Sequence, residues 1–325
     1  MRRARGLFER LVDPDRLRLA MEATVRGKGR RADVCWMLFR QEEVLADMEA
    51  RLRAGRWAPA PFSLLRVRDP KPRLIARAPI EDRVVHTAIG ALIEPCLLRT
   101  ARPESFACRP GRGAHRAGLR LLELARRHRY ALHLDLRSYF PSIDTAIVRQ
   151  LLAARVDDPA LLEVVDRILS SGTGLHTTPE LRRWARLDPT WPPPDRGLPV
   201  GTITSQLFAG HLYLDALDHE ITRRWRVPGY VRYMDDLVLF ADRRSDLRGW
   251  RAAAGAWLDR ERGLRLKHPE APVLSCHGPL DLLGFRVRRD GLEVRARVLR
   301  GLRRRIRRMA RGRASRAAVR RVVAS

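Results

Sequence analysis

The stretch YVRYMDDLVLF at residues 230–240 places two adjacent acids, Asp235 and Asp236, inside an apolar run. The β-branched and aromatic residues on both sides favour strands, and Asp is favoured in turns. The pattern therefore predicts a β-hairpin with the two acids at its tip. An isolated acid pair usually indicates no more than a solvated turn, so the interpretation depends on these flanks.

A third acid occupies a similar setting, because YALHLDL at residues 130–136 places Asp135 in another predicted strand. Carboxylates held close together raise one another's pKa, and desolvation adds to the cost of their charge. A divalent cation removes that cost, and oxygen ligands suit Mg²⁺. Two such ions can activate an attacking hydroxyl and stabilise a leaving pyrophosphate. We therefore expect a metal site where the hairpin tip meets this strand.

Composition indicates a polyanionic partner. The 325 residues include 65 Lys and Arg against 37 Asp and Glu, a formal net charge of +28. Nucleic acid is the first candidate for the partner and a membrane surface the weaker one, although a general preference for Arg would also raise the charge. No stretch approaches the ~20 apolar residues of a membrane span, and MRRARGLFERLVDPD does not resemble a signal peptide, so we expect a cytoplasmic protein. The four cysteines lack the spacing of a zinc site.

Periodicity and turn residues predict alternating helices and strands. Strand-like runs LLRVR and RLIAR flank the turn DPKP at residues 69–72, and Pro-rich DPTWPPPDRGLP at 188–199 must be a loop. Residues 295–321 hold 13 Arg and no acid, with Val298, Leu302, Ile306 and Met309 at helical spacing. Helices are expected at two or three places within 7–55, then at 81–98 with Arg83 facing outward, 117–128, 145–170 and 205–221.

Several of these stretches resemble motifs of the reverse transcriptase family. YVRYMDD (230–236), LDLRSYFPSI (134–143), GLPVGTITSQ (197–206) and LLGFRV (282–287) resemble the palm motifs in their usual order. KPRLIARAPIEDRVVH (71–86) and SFACRPGRGAHRA (105–117) resemble the fingers motifs, so the similarity spans roughly residues 60–290. The nearest resemblance is to reverse transcriptases of bacterial diversity-generating retroelements, relatives of group II intron enzymes, because V-G-x-x-x-S-Q replaces the commoner Q-G-x-x-x-S-P.

The resemblance implies an α+β right-hand polymerase. Its fingers, with part of the palm, would occupy residues 1–125, the palm 126–290 and a short Arg-rich helical thumb 291–325. The implied activity is RNA-directed DNA synthesis by a nucleotidyltransferase with two Mg²⁺ ions. The implied partners are a template RNA, an RNA/DNA hybrid, deoxynucleoside triphosphates and a small basic oligomeric accessory protein, with no membrane.

The resemblance also assigns residues. Asp135, Asp235 and Asp236 would be the catalytic metal ligands, helped by the carbonyl of Leu136. Phe140 would exclude a ribose 2′-hydroxyl by steric clash, unless it is an ordinary core residue. Val200 stands where other members use Gln, which predicts an error-prone enzyme. The remaining implied contacts are to the nucleotide, by Lys71, Arg73, Val200, Gly201 and Gln206, and to nucleic acid, by Arg77, Arg83, Arg112, Gly284, Arg303 and Arg307.

Two questions stay open at the level of sequence. Glu270 stands where the family often has a Lys that protonates pyrophosphate, so Lys267, His268 or no residue would take that role. The chain could also be the reverse transcriptase of a retron, a group II intron-like element or a phage-defence system, or a palm module that binds nucleic acid without catalysis.

Overall fold

The computed structural model describes residues 3–68, 72–175 and 177–311. Lys71 and the last part of the predicted basic helix lie outside the described residues. Helices and antiparallel sheets are both present, which confirms the α+β class.

The N-terminal region contains four helices, where sequence periodicity predicted two or three. Asp13 shows why the second helix begins where it does, because its side chain accepts a hydrogen bond from the amide of Arg16 and Pro14 follows at the first helical position. The helices are α1 (Leu7–Leu11), α2 (Pro14–Val25), α3 (Ala32–Phe39) and α4 (Gln41–Arg53).

A two-stranded hairpin and a long helix follow. The predicted hairpin is confirmed as antiparallel strands β1 (Ser63–Val67) and β2 (Arg73–Arg77). The next helix, α5 (Ile80–Leu98), packs against α2. The expectation that Arg83 faces outward was wrong: the side chain is half-buried and its Nε donates to the carbonyl of Ala78, 2.9 Å away.

A four-stranded antiparallel sheet forms the centre of the chain. Its order is β4, β5, β3, β6, and the strands are β3 (Tyr130–Asp135), β4 (Gly229–Tyr233), β5 (Asp236–Ala241) and β6 (Val273–Ser275). Two helices flank it, α6 (Ala114–Arg127) and α13 (Arg244–Arg262). Alternate residues of β5 belong to two different apolar clusters, Leu237 and Leu239 to the one shared with α13, Val238 and Phe240 to the one shared with α6. The sheet is therefore covered on both faces.

The segment between β3 and β4 is mostly helical. The predicted stripe at 205–221 is interrupted by two π-helical segments, Phe208–Leu212 and Glu220–Arg224, and residues 188–199 form a loop as predicted. The α-helices here are α7 (Tyr139–Ser142), α8 (Thr145–Ala153), α9 (Pro159–Gly172), α10 (Pro179–Trp184), α11 (Ile203–Leu207) and α12 (Asp215–His219).

The C-terminal part contains a small sheet and a basic helix. Strands β7 (Leu280–Leu282), β8 (Phe285–Val287) and β9 (Leu292–Val294) are antiparallel, and α14 (Ala296–Arg311) follows them. Gly284 has a φ of 85° in the β7–β8 turn, a conformation that glycine adopts without strain. Among the described residues, no helix has both the length and the apolar character to cross a membrane.

Candidate active site

The three predicted catalytic acids meet at one end of the central sheet. Antiparallel pairing of β3 with β5 sets Asp135 directly opposite Asp236, and Asp235 lies in the two-residue turn between β4 and β5. Directly opposed residues in such a pair have Cα atoms about 4.5–5.5 Å apart, and like charges at that spacing repel. The pairing therefore concentrates negative charge at the hairpin tip.

The electrostatics of Asp235 reflect this crowding. Burial, followed by the neighbouring carboxylates of Asp236 and Asp135, raises the pKa of Asp235 to about 6. The guanidinium of Arg73 acts in the opposite direction and lowers that pKa. Arg73, at the start of β2, therefore lies within electrostatic reach of the acids, on the side predicted for the nucleotide.

The other two acids, Asp135 and Asp236, each contact a basic side chain. Lys267 Nζ lies 2.5 Å from Asp135 Oδ2, and the amide of Lys267 donates to the Asp135 carbonyl at 2.9 Å. His133 Nε2 lies 2.6 Å from Asp236 Oδ1. Within residues 3–68, 72–175 and 177–311 no three His, Cys, Asp or Glu side chains are already arranged around one point as a metal site. A cation would have to draw Asp135 away from Lys267 and Asp236 away from His133.

The donor set nevertheless fits Mg²⁺. Leu136 forms an antiparallel bridge with Leu266, and the hydrogen bonds beside it use the carbonyl of Asp135 and the amide of Arg137. In such a bridge the intervening residue turns its own carbonyl to the opposite edge, here toward the hairpin tip. Three carboxylates and one carbonyl are the oxygen ligands that this ion prefers.

Four of the predicted nucleotide-binding residues lie on two connected segments, Arg73 on β2 and Val200, Gly201 and Gln206 within residues 197–206. The amide of Ala76 in β2 donates to the carbonyl of Val200 at 2.8 Å, which joins the hairpin of β1 and β2 to residues 197–206. Gly201 has a φ of 129°, and a Cβ there would lie 2.7 Å from the Ala76 carbonyl oxygen, so only glycine permits this approach. Gln206 is exposed on α11.

Phe140 lies on α7, five residues after Asp135. Its ring is partly buried beside the core and meets the ring of Tyr139 edge-on, with centroids 5.8 Å apart. Its carbonyl accepts a hydrogen bond from the amide of Leu198 at 2.9 Å. The side chain is therefore held at the junction with the nucleotide segment and is not fully buried.

A basic cavity of about 590 Å³ lies between the hairpin, α2, α5 and Gly201. Burial, then the charge of Arg31, then that of Arg77, lowers the pKa of Arg83, so these cations repel one another. Asp33, which pairs with Arg31 and Arg77, raises that pKa and offsets the repulsion only in part. His86 also lines it, and the ring Nε2 of this buried residue has no hydrogen-bond partner within the described part of the chain. The cationic side chains that line the cavity are Lys28, Arg31, Arg77 and Arg83.

The other predicted nucleic-acid contacts lie on elements separate from the acids. Arg112 donates to the carbonyl of Pro103 and stacks over the ring of Phe106, 5.1 Å from its centroid. Gly284 lies in the β7–β8 turn, and Arg303 and Arg307 belong to α14.

The sequence analysis did not identify His133 or Arg232, and it considered Lys267 only as a possible proton donor to pyrophosphate. His133 and Lys267 contact the acids through tertiary neighbours that their local sequence does not reveal. Arg232 is different, because its side chain is only 1% exposed in the middle of β4. A charged residue in an otherwise apolar strand was the available signal for Arg232.

An α+β fold with three carboxylates at a palm-like hairpin tip defines a polymerase-like nucleotidyl-transfer domain. Residues 67–286 match the family described as reverse transcriptase (RNA-dependent DNA polymerase). The chain therefore belongs to the reverse transcriptase family and carries the domain of an RNA-directed DNA polymerase, a nucleotidyltransferase.

Solved structures agree on the fold. Apo telomerase from Candida tropicalis, truncated from its C-terminal domain, superposes with a TM-score of 0.52 at 9% identity, over 75% of this chain and 58% of that one. Another structure of apo telomerase from the same organism gives 0.53 at 10% identity, over 78% and 53%. The chain thus spans little more than half the length of these structures. No curated protein sequence matches the chain.

Proposed function

We propose that this chain copies an RNA template into DNA by joining a primer 3′-hydroxyl to the α-phosphate of a deoxynucleoside triphosphate. The observation that carries the proposal is the register that sets Asp135 opposite Asp236, with Asp235 in the adjoining turn. The arrangement supports the proposal, because phosphoryl transfer depends on positioning and on charge stabilisation, and clustered carboxylates can hold the metal ions that supply both.

Asp135, Asp235, Asp236 and the Leu136 carbonyl would hold two Mg²⁺ ions. When bound, these ions lower the pKa of the attacking hydroxyl and neutralise the leaving pyrophosphate. Arg73 lies near the same acids and would bind the triphosphate as a charge-assisted donor. Lys71 would act beside it, as expected from the resemblance.

The template would run along the basic cavity. Arg77 and Arg83 line it next to Gly201, so a phosphate there would relieve the mutual repulsion of the cations. Because contacts of this kind read the backbone alone, binding would show little sequence preference. Beyond the cavity, the product duplex would contact Arg112, Gly284, Arg303 and Arg307, with α14 as the thumb.

We further propose an error-prone enzyme of a diversity-generating retroelement, working with a small basic accessory protein. Val200 supports this, because its apolar side chain offers no hydrogen bond where relatives place Gln. The alternatives are a retron, group II intron-like or phage-defence enzyme. A pair of near-identical DNA repeats beside the gene, differing mainly at adenines, would favour the retroelement, and their absence would favour the alternatives.

Primer extension on an RNA template tests the catalytic assignment. The wild type should extend the primer with Mg²⁺, and Asp235→Ala should lower the rate by about 10²–10³-fold, as expected when a charge-stabilising group is removed. Asp259→Ala, which removes an exposed acid from α13, is the matched control and should extend normally. Equal extension by wild type and Asp235→Ala would contradict the assignment and favour a non-catalytic binding module.

Val200→Gln tests the fidelity proposal. Restoring an amide that can hydrogen-bond should lower misincorporation by about 10-fold, since a single polar interaction is worth that order of discrimination. The measurement is single-nucleotide incorporation opposite each of the four template bases. A wild-type enzyme already faithful opposite all four would refute the error-prone proposal while leaving the polymerase assignment intact.

A further inference from the structure

Arg232 uses all three guanidinium nitrogens in a buried network beneath the hairpin tip. Nε and Nη2 contact both carboxylate oxygens of Asp218 at 2.7–3.0 Å, and both side chains are 1% exposed. Nη1 donates to the carbonyl of Met234 at 3.2 Å, and Nη2 donates to the carbonyl of Gly210 at 3.0 Å. Tyr230 completes the network by donating its hydroxyl to Asp218 Oδ1 at 2.8 Å. The charge is therefore buried, paired and hydrogen-bonded through every guanidinium nitrogen.

The two carbonyl contacts of Arg232 reach different parts of the active site. Met234 immediately precedes Asp235 and has a φ of 55°, a left-handed conformation that is strained for a side chain of this size. Arg232 holds the carbonyl of this strained residue, and so restrains the turn that presents Asp235.

Gly210 belongs to the π-helical segment Phe208–Leu212, in which hydrogen bonds shift to the fifth residue along the chain. The neighbouring carbonyl, that of Ala209, accepts a hydrogen bond from the buried hydroxyl of Tyr139 at 2.7 Å. Tyr139 follows Asp135 by four residues and precedes Phe140. One π-helical segment therefore bonds both to the strained turn, through Arg232, and to the segment after Asp135, through Tyr139.

We propose that Arg232 is a positioning residue that sets Asp235 relative to Asp135 by tying the hairpin turn to this π-helical segment. The inference rests on the proposed function, since it assigns Arg232 a role in placing a metal ligand. Gly210 also lies beside the turn, because a Cβ there would be 3.4 Å from Met234 Sδ, an ordinary van der Waals distance.

A purely structural role predicts a different outcome from a positioning role. Removing one partner of a buried ion pair leaves an uncompensated charge and destabilises the protein, whereas replacing the whole network by apolar residues is often neutral for stability. The informative variant is therefore Arg232→Met with Asp218→Leu and Tyr230→Phe. It removes every charge and hydroxyl of the network but leaves Met234 and Gly210 without their donor. Arg232→Lys is the conservative second variant, which keeps the charge but cannot make all the contacts.

The chain supplies a matched control. Arg155 Nη2 lies 2.6 Å from Asp215 Oδ2, and these side chains are 14% and 4% exposed, so this ion pair is also largely buried, though less completely than that of Arg232. Among the described residues, the side chains of this pair make polar contacts with each other and with Leu151, Thr100 and His219, none of which belongs to the catalytic hairpin. Arg155→Met with Asp215→Leu therefore perturbs a comparable network without touching the turn.

Two measurements on the full chain test the inference. The first is Mn²⁺ binding, followed by the decrease of the electron paramagnetic resonance signal of the free ion. The second is the rate of primer extension. Thermal melting shows which variants are folded. For the folded triple variant and for Arg232→Lys we expect the Mn²⁺ dissociation constant to rise and the extension rate to fall, each by about 10–100-fold, the size of effect typical for residues that orient metal ligands. The control pair variant should match wild type in both readouts.

Wild-type Mn²⁺ affinity and extension rate in a folded triple variant would overturn the positioning role. Equal decreases in the control pair variant would also overturn it, since the effect would then be general destabilisation. If the wild type binds Mn²⁺ but extends no primer, the proposed function is refuted. The Mn²⁺ affinities of the wild type and the Arg232 variants would then decide the positioning role alone. A wild type that neither binds Mn²⁺ nor extends a primer would refute both.

Discussion

At the residue scale, the acids illustrate what sequence can and cannot predict. The tip position of Asp235 and Asp236 followed from the strand-forming residues on both sides, and their meeting with Asp135 followed from the family resemblance. The contacts of Lys267 with Asp135 and of His133 with Asp236 depend on which strands become neighbours. Strand order depends on tertiary packing, so the local patterns of a single sequence do not predict it.

Phe140 leads to a prediction about sugar selection. Phe140→Ala should admit ribonucleotides, because a smaller side chain removes the steric clash with a 2′-hydroxyl. We expect the preference for deoxynucleotides, measured as the ratio of kcat/KM values for dGTP and GTP, to fall by at least about 10-fold.

Phe140→Tyr serves as its control, since the ring is kept and the preference should persist. An unchanged ratio in Phe140→Ala would identify the residue as an ordinary part of the core, the alternative that the sequence left open.

At the scale of elements, the sequence predicted where helices and strands occur better than it predicted irregular segments within them. The hairpin of β1 and β2 was visible because DPKP separates two apolar and basic runs. The π-helical segments within 205–221 were not, because the apolar spacing continues through them while the backbone hydrogen bonds change. The direction of Arg83 was missed for a related reason, since a helix facing a polar cavity buries a charged side chain where periodicity predicts solvent.

The cavity between β2 and α5 gives a prediction for template binding. Arg77→Gln combined with Arg83→Gln should weaken RNA binding for all sequences alike. It should also reduce the slope of log K against log salt by about 2, because each arginine would neutralise one phosphate. The measurement is fluorescence anisotropy of a labelled RNA at several salt concentrations.

Arg248→Gln is the control for this pair. It removes an exposed charge from α13, which does not line the cavity, and should leave the slope near its wild-type value. An unchanged slope in the double variant would remove these residues from the template path.

At the scale of the whole molecule, two buried histidines link the fold to pH. Burial, followed by the charge of Arg83, lowers the pKa of His86 to about 4, and burial likewise lowers that of His211 to about 4. Between pH 6.5 and 4 the unfolded chain binds protons that the folded chain does not, so the free energy of unfolding falls as pH falls through this window. At pH 5 the decrease is of the order of 2 kcal/mol for each histidine.

Urea denaturation at pH 7.5 and pH 5 measures this decrease. Asp235 has a raised pKa and contributes with the opposite sign, since it takes up a proton in the folded state near pH 6. The comparison is therefore best made in Asp235→Asn, with and without His86→Gln. The added substitution should reduce the difference between the two pH values, and an undiminished difference would contradict the role of His86.

The two apolar clusters that cover the central sheet have a consequence for how this protein can change. Strand β5 begins at Asp236, and its successive side chains enter opposite cores, Leu237 and Leu239 on one face, Val238 and Phe240 on the other. Packed interiors transmit a volume change as a shift of backbone. Substitutions in the two cores should therefore displace the same carboxylate in opposite directions, so a change on one face can compensate a change on the other. The geometry of the candidate site can thus change during evolution without a substitution within the site.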